Sequence, residues 1–117
     1  MSQDIPSLLA RIDEEPDKLH SDMTPAVEAL IEIGEPALGP VLELMLSPGR
    51  ETRMHAQRVL EGVTLRLHGF RPGQGWDDQS REDDWRRFWK SLGDLDWDAP
   101  EASRADAVAL WREWLRR

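Results

Sequence analysis

No cysteine occurs among the 117 residues, which excludes disulfides, thiolate metal sites and a cysteine nucleophile, although it leaves the compartment open. There is also no apolar run of about twenty residues, the length a membrane-spanning helix needs. The opening segment "MSQDIPSLLARIDEEPD" lacks a basic leader with a continuous apolar core, so the expectation is a cytoplasmic protein without a secretion signal. Histidine is scarce. His20, His55 and His68 show no metalloprotease-type spacing, and His55 falls four residues after Glu51, as in an ordinary exposed helix pair. Ser47, Ser80 and Ser91 have no nucleophile-elbow setting, and "GQG" follows a helix rather than a strand. Asp94, Asp96 and Asp98 alternate like the start of a calcium loop, but Ala99 takes the glycine position and Ala105 the closing glutamate position, with Pro100 between them. No metal and no cofactor are expected.

Positive charge is nearly missing from the first half. Ten acids meet only Arg11 and Lys18 in the first 49 residues, so the whole formal charge of -8 resides there, while thirteen acids and thirteen bases cancel from Arg50 onward. Such a surface repels phosphates and attracts basic surfaces, which argues against nucleic acid as a partner. The plainer alternative is a solvated face that only keeps the chain in solution.

What the chain does contain is helical periodicity. A chain of this length can bury roughly two-thirds of its unfolded surface in one core. Ile5, Leu8, Leu9 and Ile12 fall at the i, i+3, i+4, i+7 positions of one helical stripe, and "DEEPDKLHSD" breaks the pattern. Asp22 or Thr24 can cap a second helix that starts at Pro25 and carries Ala26, Val27, Leu30, Ile31 and Ile33. Gly34 suits the end of that helix, and Pro36 suits the start of another. Pro40 means that the third helix either begins near Gly39 or is kinked there. Its stripe is Leu38, Val41, Leu42, Met45 and Leu46. A fourth helix from about Glu51 presents Thr52, Ala56, Val59, Leu60 and Val63, with Ala56 small enough for a close helix approach. The Gly-rich insert 67–79 follows. Ser80 with Asp83 resembles a capping box for a fifth helix bearing Trp85, Phe88, Trp89 and Leu92, which ends at Gly93. Asp98 with Glu101 can cap a sixth, with Ala105, Val108, Trp111 and Leu115 inward. The fold class is all-α.

From Ala26 to Val63, "AVEALIEIGEPALGPVLELMLSPGRETRMHAQRVLEGV" resembles the HEAT-repeat pattern. The matching positions are Ile33-Gly34, Pro36, Ala37, Val41, Leu42, Leu44, Leu46, Arg53, Ala56 and Leu60. The Trp-rich end, with "LWREWL", is similar to the terminal segment of some short bacterial HEAT-like proteins. The resemblance implies a short right-handed α-solenoid of about three stacked helical hairpins within one domain, 1–117, with pairs at about 5–33, 36–64 and 80–116. It also implies that Arg53 ties neighbouring helices together. The chain departs from the family in its uneven period, its insert, and the aromatic character of the third pair.

Trp85, Trp89 and Trp111 lie on helical stripes and read as core, whereas Trp76 and Trp97 lie in loops and suit either a core or a binding role. No catalytic constellation assembles. The expected function is a non-enzymatic protein-protein interaction module, an adaptor, regulator or immunity-type inhibitor, whose partner is basic. Its expected contacts are Glu28, Glu32, Glu35 and Glu43, with Arg71 and Trp76 of the insert; the oligomeric state stays open. One alternative is a small-ligand binder or enzyme with a pocket under the insert, near His68 or Asp77. Another is a HEAT-like nucleic-acid binder using Arg50, Arg53, Arg58 and Arg66.

Overall fold

The computed structural model describes residues 4–117; the first three positions of the expected 1–117 domain lie outside the described residues. Six α-helices follow one another: α1 (Ile5–Ala10), α2 (Pro25–Ile33), α3 (Leu38–Glu43), α4 (Arg50–Leu67), α5 (Gln79–Ser91) and α6 (Glu101–Leu115). Short 3-10 turns at Glu35–Ala37 and Leu44–Leu46 flank α3. Among the described residues there is no strand, only an isolated bridge between Arg71 and Gly75. None of these helices is long and apolar enough to cross a membrane.

The start of α2 follows from one side chain. Thr24 Oγ1 accepts from the Val27 amide at 3.1 Å and donates to the Ile12 carbonyl at 2.8 Å, so the cap also ties α2 to the chain leaving α1. Asp22 is left for another task. Gly34 ends the helix at φ +85°, a backbone state that side chains with a Cβ rarely adopt, and the chain turns through Glu35–Ala37 into α3. Pro40 is the third residue of α3, within the first turn, where amides have no α-helical partner to lose.

The core forms where α4 lies against α2 on one side and against α3 and the second 3-10 turn on another. Leu30, Leu38, Val41, Leu42, Met45, Val59 and Leu60 are all fully buried there, each worth about 1.5–3 kcal/mol of transfer free energy. Ala56 is buried as expected. A Cβ on Gly62 would lie 2.6 Å from Ile31 Cδ1, so glycine is what lets Ile31 of α2 cross α4. Leu46, expected on the α3 stripe, remains 37% exposed, because the 3-10 turn carries it off that face.

The third helix pair is held by rings. Phe88 and Trp89 of α5 meet Trp111 of α6 with ring centroids 5.8 and 5.2 Å apart, both edge-on. Trp85 Nε1 donates to Thr64 Oγ1 of α4 at 2.9 Å, and Trp89 Nε1 donates to the Leu95 carbonyl at 3.1 Å. The α6 backbone also runs close to α3 and the second 3-10 turn.

Its buried face is Arg104, Ala107, Val108 and Trp111; Ala105, expected inward, is exposed. The stripe is rotated by one position because Arg104 points in, donating to the Met45 carbonyl at 2.7 Å and the Ala99 carbonyl at 3.0 Å. A buried cation so placed satisfies one carbonyl of the 3-10 turn and one just ahead of α6.

Two expected caps are also reassigned. Asp78, rather than Ser80, caps α5 by accepting from the Ser80 amide. At α6 the cap position is Pro100 with no side-chain bond, since Asp98 pairs with Arg50 at 3.1 Å.

Candidate functional site

The segment between α1 and α2, read from the sequence only as a break, is fastened to α4 at several points. Asp13 accepts from the Thr52 hydroxyl and meets His55 Nδ1 at 2.6 Å, while His55 Nε2 donates to the Ser21 carbonyl at 3.0 Å. The spacing of Glu51 and His55 suggests an exposed pair, yet His55 is only 2% exposed, because the segment folds down over α4. Arg58 Nε bonds Asp22 at 2.6 Å, and its other side reaches Glu61 at 2.7 Å. At the tip, Asp17 Oδ1 accepts from the Leu19 and His20 amides, and that turn leaves Leu19 87% exposed. The result is a pinned loop with an apolar tip.

The Arg58 guanidinium, through its hydrogen bond, holds the Asp22 carboxyl below the ordinary carboxylate range. The unfolded chain therefore takes up this proton at a higher pH than the folded chain does. The stability contributed is complete above the ordinary aspartate value and falls away as pH drops through the depressed one. Denaturant titrations of the wild type and Asp22→Asn should accordingly diverge most at neutral pH and draw together as the pH falls below the ordinary aspartate value of about 3.9. Curves separated equally at every pH would contradict this assignment.

Three concavities open around Pro25. One, bounded by Leu8, Arg11, Glu14 and Glu15, lies between α1 and α2; a second, with Glu15, Asp17 and Glu28, lies under the loop. The third runs along α2 as an open groove of about 510 Å³, with Met23, Ala29 and Ile31 half-buried between Glu28, Glu32 and Arg66. Glu14, Glu15 and Asp17 thus join the acidic surface. The run "DEEPD" was the signal that could have found them.

The six expected contact residues do not form one cluster. Glu28 and Glu32, one turn apart, share the α2 groove. Glu32 pairs with Arg66 at 3.1 Å, Glu43 binds Arg112 of α6 through both carboxylate oxygens, and Glu35 lies 3.8 Å from Arg117. Glu28 has no cationic partner among the described residues. Arg71 is exposed on the insert, where its backbone pairs with Gly75 in a tight turn, and Trp76 rests edge-on against Phe70 at 5.4 Å. No residue of the insert lines any of the three concavities.

The arginines considered as a basic stripe are all engaged within the protein. Arg50 stacks on Trp97 and pairs with Asp98, and Arg58 and Arg66 are held by carboxylates. Arg53 donates to the Trp97 and Ser47 carbonyls at 2.9 Å each, joining α4 to the connection between α5 and α6 and to the residue after the second 3-10 turn rather than to a neighbouring helix. Trp97 is thereby part of a structural junction, its amide donating to Gln57 Oε1.

Compared with known protein families, curated proteins and solved structures, the chain matches none.

Proposed function

We propose that this protein is a non-enzymatic interaction module, an adaptor, regulator or immunity-type inhibitor, that binds a basic surface of another protein. In this reading it is a short right-handed α-solenoid of the HEAT type, with the helix joint at Gly34–Pro36 and the packing of α2 on α4 in its favour. The third pair is the departure, since α6 lies against α3. The observation that carries the functional reading is that acidic side chains with few cations line the concave surface around Pro25. None of these three concavities is lined by the insert, so none of them favours a small-ligand or enzyme site there. Nucleic-acid binding has no free arginine stripe in its favour.

The test is affinity capture from the native host's lysate, comparing the wild type with a variant in which Glu14, Glu15, Asp17 and Glu28 become Gln or Asn. Basic proteins should be retained by the wild type, lost with the neutralised variant, and released by about 0.5 M salt, where charge is screened beyond a few ångströms. Identical capture by both proteins would refute the reading.

A further inference from the structure

The α2 groove combines an apolar floor with one carboxylate that already holds a cation and one that does not. Met23, Ala29 and Ile31 are half-buried there, flanked by two carboxylates one helical turn apart, about 6 Å between their Cβ atoms. One of those carboxylates already holds a guanidinium: Arg66 reaches across from α4 to Glu32 at 3.1 Å. The other, Glu28, presents the same group to the same groove with no cation. From this juxtaposition we infer that the groove is the docking site for a cationic peptide segment, an arginine or lysine of which pairs with Glu28 while an adjacent apolar side chain covers Met23, Ala29 and Ile31.

The inference rests on the proposed binding of basic partners and narrows it to one seat and one chemistry. Charge complementarity selects the occupant. An acidic or purely apolar segment would leave Glu28 desolvated and unpaired, whereas a cation with no apolar neighbour would leave the floor wet. The internal Arg66–Glu32 pair already neutralises one carboxylate of the groove, so an incoming cation finds its free carboxylate at Glu28.

The probes are short fluorescent peptides built from arginine and leucine, arginine and glycine, or glutamate and leucine. The arginine–leucine peptide should bind about tenfold more tightly than the arginine–glycine peptide, and the glutamate–leucine peptide should not bind. Glu28→Lys should weaken binding by about tenfold or more, while Glu101→Lys, the same charge change on the exposed start of α6, should alter it less than about twofold. Met23→Gln should erase the preference for leucine over glycine. Amide chemical shifts should move at Met23, Glu28, Ala29 and Glu32, with the remaining spectrum of each variant reporting that it is folded. If arginine peptides bind but Glu28→Lys and Glu101→Lys behave alike, or the shifts map elsewhere, the groove assignment fails while the broader reading stands. If no arginine peptide binds, both fail.

Discussion

Gly93→Ala is expected to destabilise the protein by about 2–5 kcal/mol, through two separable effects. Gly93 follows the last turn of α5 at φ +94°, a conformation that costs a residue with a Cβ about 1–2 kcal/mol. An added methyl would also lie 2.9 Å from the Cα and Cβ of Ala107, and backbone on a packed helix cannot swing aside as a side-chain end can. Overpacking of this kind adds about 1–3 kcal/mol. Gly73→Ala separates the two contributions, since Gly73 has φ +79° but no atom within 4 Å of the place an added methyl would take, so only the backbone cost of about 1 kcal/mol applies there. Urea denaturation followed by tryptophan fluorescence would measure both. Equal losses for the two variants would mean that the approach of α6 to Gly93 is not close.

The second large effect is expected at His55. Its ring fills a buried site and bonds both Asp13 and Ser21, so His55→Ala should cost about 2–4 kcal/mol through a cavity and two lost partners. His55→Phe restores most of the volume but neither bond, and should still cost about 1–3 kcal/mol. The amides of Asp17 and Met23, which bond within the loop at 2.9 Å each, should exchange with solvent faster in both variants, before those of α4 do. A His55→Phe protein as stable and as well protected as the wild type would show that volume alone matters at this position. Loosening this loop should also weaken peptide binding in the α2 groove, because Met23 sits where the loop enters α2.

Much of the helical framework was legible from residue spacing. Gly34 and Pro36 act through their own backbone geometry, so their meaning does not depend on any distant neighbour. The apolar stripes of α2 and α3 predicted the buried Leu30, Leu38 and Val41 for a similar reason, since a helix places i, i+3 and i+4 on one face wherever it lies. Arg104 defeated the same logic. It stands at i relative to Ala107, Val108 and Trp111, but a hydrophobicity pattern gives no reason to bury an arginine whose carbonyl partner is 59 residues away. The caps at α5 and α6 were misassigned for a related reason, because several neighbouring Asp and Ser side chains offer equivalent bonds and one of them, Asp98, is drawn to Arg50.

The candidate site was legible in its charge and not in its shape. The acidic excess in the first half, the helix carrying Glu28 and Glu32, and the all-α class follow from composition and local periodicity, which are properties of short segments. Which glutamates keep a free carboxylate does not, since Glu32, Glu35 and Glu43 meet arginines from elsewhere in the chain. The same holds for His55, drawn under a loop by Asp13 at a separation of 42 residues. Helix formation depends on residues within a turn or two. Burial and charge pairing depend on which surfaces are brought together in space, and folding supplies those neighbours.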